Sequence, residues 1–129
     1  MMYIHHIALW TNDPERLGEF YSGFFGCKLS DRYVNHKKQF VSYFLSFPDG
    51  AKIELMKRTD ITSRINKEQI GLAHFAIGVG SETQVDELTR RLEQAGVVID
   101  SYPRITGDGY YESVILDPDN NKIELTAYS

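Results

Sequence analysis

The chain repeats itself. Pro48-Asp49-Gly50-Ala51-Lys52-Ile53-Glu54-Leu55 matches Pro118-Asp119-Asn120-Asn121-Lys122-Ile123-Glu124-Leu125, with six of eight positions identical at an offset of 70. His6-Ile7-Ala8-Leu9 matches His74-Phe75-Ala76-Ile77 at an offset of 68. Gly26 and Gly96 also lie 70 apart, each closing a helix-like stretch. Three matches in one order at nearly one offset mark a duplicated half-domain. Solenoids are built from more numerous, shorter repeats, so two long ones point elsewhere.

Each half reads as strand, helix and three strands. Tyr3 to Trp10 alternates as a strand does. Asp13-Pro14 then supplies an N-cap and a proline at the first helical position. Leu17, Phe20, Tyr21 and Phe24 form an apolar stripe at helical spacing, which Gly26 ends. Strands are expected near Lys28–Tyr33, Gln39–Phe47 and Ala51–Lys57. The second half opens with a strand at Ala73–Val79. Ser81-Glu82-Thr83-Gln84 is a capping box, and Val85, Leu88 and Leu92 form the buried stripe up to Gly96. Strands follow near Val97–Tyr102, Tyr111–Leu116 and Lys122–Tyr128. The fold class is therefore α+β, two tandem βαβββ modules in one domain over 1–129. Module one spans about 1–57, a polar linker about 58–70, and module two about 71–129.

Side chains alternate between the faces of a strand. Ile7 and Leu9 oppose His6, Ile53 and Leu55 oppose Glu54, Phe75 and Ile77 oppose His74, and Ile123 and Leu125 oppose Glu124. Four times, one face is apolar enough to pack on a helix and the other carries a His or a Glu. A carboxylate placed among strong strand formers is costly to bury unless it is paired or coordinated. Two imidazoles and two carboxylates suit one divalent metal ion, with Zn or Ni first and Co, Mn or Fe(II) as alternatives. His6, Glu54, His74 and Glu124 are therefore the expected metal ligands. His5 falls on the Ile7/Leu9 face and reads as structural. His36, within Asn35-His36-Lys37-Lys38, reads as a solvated loop residue.

The net charge of -4 argues against nucleic acid or a membrane surface as partner, since both need basic patches. One cysteine, Cys27, excludes an internal disulfide and suits a cytoplasmic setting. Nothing around it marks a nucleophile, so it reads as a small buried apolar residue. No basic, apolar leader or bilayer-length apolar run is visible.

The motifs His6-Ile7-Ala8-Leu9, Pro48-Asp49-Gly50 through Ile53-Glu54-Leu55, Gly71-Leu72-Ala73-His74-Phe75-Ala76, and Asp117-Pro118-Asp119 through Ile123-Glu124-Leu125 resemble the vicinal oxygen chelate superfamily. That family includes glyoxalase I, bleomycin-resistance proteins, extradiol dioxygenases, fosfomycin-resistance enzymes and methylmalonyl-CoA epimerase. The resemblance covers nearly the whole chain. It implies a cupped mixed sheet with helices outside, a metal held from the first and last strands of each module, and a homodimer whose sites take ligands from one chain or from two. The His/Glu/His/Glu set looks like bacterial glyoxalase I. Dioxygenases and fosfomycin-resistance enzymes lack a ligand where Glu54 sits, which favours proton transfer over oxygen activation.

The implied activity is a metal-dependent lyase or isomerase acting on a small hydroxy-carbonyl substrate such as a thiol hemithioacetal. The metal acts as a Lewis acid, and a carboxylate moves the proton, Glu124 first and Glu54 second. Alternatives are another metalloenzyme of the superfamily, an epimerase or dioxygenase, and a non-catalytic small-molecule-binding protein. The chain departs from glyoxalase I at Trp10, where that family usually has an arginine that helps hold glutathione. Trp10 and Met56 suggest an apolar wall beside the metal, and Arg58 an anion contact. Arg104, in the glycine-bearing segment Tyr102–Tyr111, is a further candidate substrate contact; the segment reads either as a mobile loop near the cup or as an ordinary hairpin connection.

Overall fold

Two helix starts punctuate the chain as their sequences dictate. The Asp13 side chain accepts a hydrogen bond from the Arg16 amide at 3.1 Å, and Pro14 opens α1 (Pro14–Phe25). Gly26 ends it with φ 68°, a left-handed turn in which its amide donates to the Ser22 carbonyl. In the second half the Ser81 hydroxyl accepts from the Gln84 amide, and the Gln84 side chain accepts from the Ser81 amide, closing the box that opens α2 (Glu82–Gln94). Gly80 permits this closure. A Cβ there would stand 1.9 Å from the Gln84 Oε1, and φ is +122°.

The computed structural model describes every residue from Met1 to Ser129. It divides into two compact units, Met1–Ile65 and Asn66–Ser129. In the first, β1 (His6–Trp10) precedes α1, and β2 (Lys28–Leu29), β3 (Tyr33–Asn35), β4 (Phe40–Ser46) and β5 (Lys52–Arg58) follow. The sheet order is β1-β5-β4-β2, with β3 also on β4; β1 and β5 run parallel and the other pairs antiparallel. In the second, β6 (His74–Gly80) precedes α2, and β7 (Ile99–Ile105), β8 (Tyr111–Leu116) and β9 (Lys122–Ala127) follow in the order β6-β9-β8-β7. Again only the outer pair, β6 with β9, is parallel. The expected α+β fold of two βαβββ-like modules is what the chain adopts. No helix is long and apolar enough to cross a membrane.

Each core lies between one sheet face and its helix. Leu17 and Tyr21 of α1 are buried with Leu45, Ile53 and Leu55, and Val85 and Leu92 of α2 with Ile115, Ile123 and Leu125. Each such side chain contributes about 1.5–3 kcal/mol by leaving water. Polar atoms in the second core are matched: Thr89 Oγ1 hydrogen-bonds Ser113 Oγ at 2.8 Å and donates to the Val85 carbonyl at 2.6 Å. Because the helices take the odd-numbered face of β5 and β9, Glu54 and Glu124 are left on the other.

Three local expectations differ from the structure. The first strand starts at His6, with Tyr3 and Ile4 exposed ahead of it. The strand expected over Lys28–Tyr33 is two short pieces: the Ser30 side chain accepts from the Phe44 amide where β2 stops, and β3 then pairs afresh with β4. The segment Tyr102–Tyr111 is a hairpin connection whose first strand runs on past Tyr102. Its first four residues lie in β7, an outer strand with a register shift before Arg104, where a proline such as Pro103 is tolerated. The remainder is a tight turn closed by the Thr106 amide to the Tyr110 carbonyl at 2.7 Å and the Gly109 amide to the Thr106 carbonyl at 2.9 Å.

Candidate functional site

In each unit the parallel strand pair places one histidine diagonally from one glutamate. His6 is opposite Lys52 and Ala8 is opposite Glu54; His74 is opposite Lys122 and Ala76 is opposite Glu124. The register is the same in both, so the duplication extends to the side chains that reach across. His6 Nε2 stands 3.6 Å from Glu54 Oε1, and His74 Nε2 stands 3.0 Å from Glu124 Oε2. The imidazoles are 40% and 42% exposed, so both pairs face solvent rather than a core.

These separations are informative. Two donors about 2.1 Å from one ion stand about 3.0 Å apart at right angles and about 3.4 Å apart in a tetrahedron. Both pairs lie near those values, and the donor chemistry, imidazole nitrogen with carboxylate oxygen, suits a borderline divalent ion. The residues present therefore fit such an ion as two half-sets of donors. Within the chain no three His, Cys, Asp or Glu side chains gather closely enough to hold one.

His5 has a part that its position in the sequence did not suggest. Its Nδ1 lies 2.9 Å from the Nδ1 of His6, and the Lys52 amide donates to its carbonyl at 3.0 Å. A hydrogen bond at Nδ1 holds the His6 ring and leaves Nε2 turned to Glu54. On the other side the His6 ring meets Phe44 edge-on, with centroids 5.5 Å apart.

Glu112 is the main residue that sequence reasoning missed. Register puts it beside Thr126 and Arg104 on the sheet face of Glu124. It is 8% exposed, and its buried Oε2 meets no hydrogen-bond donor in the protein. Burial pushes its carboxyl up from the usual carboxylate range; contact with the Glu124 carboxyl pushes it further, and Arg104 opposes the shift. The signal available was a glutamate among strand formers, on the face opposite Tyr111, Ser113 and Ile115, much as Glu54 lies opposite Ile53 and Leu55. The repeat hid it, because the matching position is Ser42.

The other predicted contacts divide by unit. Trp10, Met56 and Arg58 share the Glu54 face of the first sheet, Trp10 opposite Met56 and Arg58 opposite Phe40. Arg58 belongs to β5 rather than to the linker; its guanidinium lies 5.0 Å over the Trp10 ring, and its Nε donates to Asp60 Oδ1 at 2.6 Å. Arg104 is on the Glu124 face of the second sheet, opposite Glu112. Beside His74 in register, Lys122 donates to Glu68 Oε1 at 2.6 Å, which raises the lysine and lowers the glutamate from their ordinary values. A separate cavity of about 320 Å³ lies toward the α1 start, lined by Glu15, Arg32, His36 and Lys57 among others. It holds none of the four predicted ligands.

Known proteins share this fold. A sequence model described as Glyoxalase/Bleomycin resistance protein/Dioxygenase superfamily matches residues 3–125. The uncharacterized protein YqjT of Bacillus subtilis (strain 168) is 30% identical over 135 residues, covering 98% of this chain and 99% of its own. Among solved structures, the trypanothione-dependent glyoxalase I of Leishmania major superposes with a TM-score of 0.79 at 25% identity, over 98% of this chain and 87% of that one. A glyoxylase/bleomycin resistance protein/dioxygenase domain from Frankia sp. EAN1pec reaches 0.85 at 21% identity, over 100% and 93%. That second likeness is one of fold.

Proposed function

The chain belongs to the Glyoxalase/Bleomycin resistance protein/Dioxygenase superfamily, and from that premise we propose that it is a divalent-metal-dependent lyase or isomerase acting on a small hydroxy-carbonyl compound, such as the hemithioacetal of an α-oxoaldehyde with a thiol. The observation that carries this reading is the diagonal His–Glu pair, repeated in the same register and near the donor spacing of one ion. His6 and Glu54 of one unit, with His74 and Glu124 of the other, are the ligand set. The two halves come from one chain or from two copies in a homodimer. The likeness to a glyoxalase I supports the reaction type.

A Zn or Ni ion bound by these residues supplies Lewis-acid polarisation of the substrate oxygens. The protein supplies the proton transfer. Glu124 is the first candidate to take a proton from one substrate carbon and return it to the neighbouring carbon, while the hydroxyl proton passes to the oxygen on that neighbouring carbon; Glu54 is the second candidate. That exchange is an isomerisation and needs no oxidant or reductant. Glu112, against Glu124, limits the positions that carboxyl adopts. His5 does the same for the His6 ring. Glutathione is not the expected thiol, since an indole stands where an arginine would help hold it.

The test is elemental analysis of gently purified protein, followed by turnover of methylglyoxal adducts of glutathione, bacillithiol and simpler thiols. A stoichiometric metal that is lost in Glu54→Ala and in His74→Ala, with metal-dependent turnover of at least one adduct, is the expected result. Metal-loaded protein that is inert toward every adduct would end the lyase reading.

A further inference from the structure

We propose that the open face of the first sheet, beyond Glu54, is a subsite for the part of a ligand that joins a flat apolar ring to an anionic group. This rests on the reading above only in taking the His6–Glu54 end as the reacting end. Three rows of side chains lie on this face in register: Ala8, Glu54 and Phe44; then Trp10, Met56, Ser42 and Tyr33; then Arg58, Phe40 and Asn35. Successive rows are about 7 Å apart along a strand. A ligand anchored at Glu54 thus meets an aromatic and thioether surface one row on, with the Arg58 guanidinium reaching back from the third row over the Trp10 ring.

The second and third rows together form a built aromatic surface. Trp10 meets Phe40 edge-on, with centroids 6.3 Å apart and planes at 88°. Phe40 meets Tyr33 at 6.2 Å and 63°. Trp10 is 41% exposed and Tyr33 54% exposed, an unusual cost for large rings on a sheet face that already has a core on its other side. Arg58 caps the cluster. Its position over the indole fixes the planar guanidinium, and its one recorded hydrogen bond, to the exposed Asp60, engages Nε alone. The terminal amino groups remain for a carboxylate or phosphate, which a guanidinium binds in two-point fashion. A purely apolar ligand would leave Arg58 without purpose, and a purely anionic one would leave the rings wet. An arylalkyl acid satisfies both.

Trp10 is the only tryptophan in the chain, so its emission reports on this subsite alone. The experiment titrates 4-phenylbutanoate into full-length protein held in EDTA, so that the outcome does not depend on a metal. Two comparators each lack one half of the chemistry: 4-phenylbutanol has no charge, and 4-cyclohexylbutanoate has no aromatic ring. A saturable change in tryptophan emission is expected with 4-phenylbutanoate. Binding should be at least tenfold weaker for each comparator, and at least tenfold weaker for 4-phenylbutanoate in Arg58→Gln. Calorimetry of Trp10→Leu should show a similar loss, with an unchanged circular dichroism spectrum in both variants. Equal affinity for all three compounds, equal affinity in Arg58→Gln, or no saturable change would overturn the proposal. So would emission that responds to protein dilution and to no ligand, which would assign this face to a second copy of the chain. A positive titration in a protein that binds no metal would retire the metalloenzyme reading and leave the subsite standing.

Discussion

His74 Nε2 stands 3.0 Å from Glu124 Oε2, although the strand register sets Glu124 opposite Ala76. The same diagonal brings His6 to Glu54. As ion pairs between partly exposed groups, such contacts contribute little, about 0–1 kcal/mol each. As half-sets of metal donors, the role proposed for them, they would contribute through the bound ion instead.

Metal-free protein should therefore unfold at nearly the same temperature whether His74 is present or replaced by alanine. Added Ni or Zn should raise the melting temperature of the parent protein, since a ligand at about a thousand times its Kd stabilises by about 4 kcal/mol. His74→Ala and Glu124→Ala should lose that rise. Scanning calorimetry with EDTA and with metal makes the comparison. A metal-induced rise that survives both substitutions would place the ion elsewhere.

Glu112 supports Glu124 from the neighbouring strand, and partners of metal ligands typically hold about 10- to 100-fold of affinity. Glu112→Ala should weaken metal binding about tenfold in competition with a chelating dye. Glu112→Gln fills the same volume and donates from its amide to Glu124, so its affinity should stay near that of the parent. Equal affinities across all three proteins would remove Glu112 from the site.

The duplicated motifs made the modules and the faces that carry the His and Glu residues legible, because side-chain parity in a strand follows from sequence alone; the diagonal between them needed the strand register. What they concealed were the places where the halves differ. Glu112 replaces the counterpart of Ser42, and no repeat-based comparison selects it. Arg58 read as linker because it opens a polar run, whereas its pairing with Phe40 carries β5 one residue further. The Tyr102–Tyr111 segment read as a loop because proline and two glycines suggest one. Position at the sheet edge, which only the topology supplies, lets Pro103 sit in a strand.

The α2 start offers a test of local structure away from the site. Ser81→Ala removes one half of the capping box and leaves the Gln84 amide without its acceptor. The expected loss is about 1 kcal/mol in urea-induced unfolding. Metal affinity should be unchanged. A loss of metal binding with intact stability would mean that the helix start reaches the site by a route that these contacts do not contain.

Cys27 is 5% exposed, and burial raises its thiol above the usual range, with only a weaker opposing effect from a backbone hydrogen bond. The folded protein thus keeps the neutral thiol to a higher pH than the unfolded chain does. For a group raised in this way, the stabilising difference is present below the unfolded value. It is lost as pH climbs from that value toward the folded one. Stability should accordingly fall on the alkaline side, above about pH 9, and Cys27→Ala should flatten that fall. Native protein should also react with a disulfide reagent far more slowly than urea-unfolded protein at neutral pH, because the attacking species is the thiolate. Urea unfolding of both proteins across pH measures the first, and stopped-flow labelling of the parent protein measures the second. Equal rates in the native and unfolded states would show that the thiol is neither enclosed nor perturbed, and would remove Cys27 from the core beside α1.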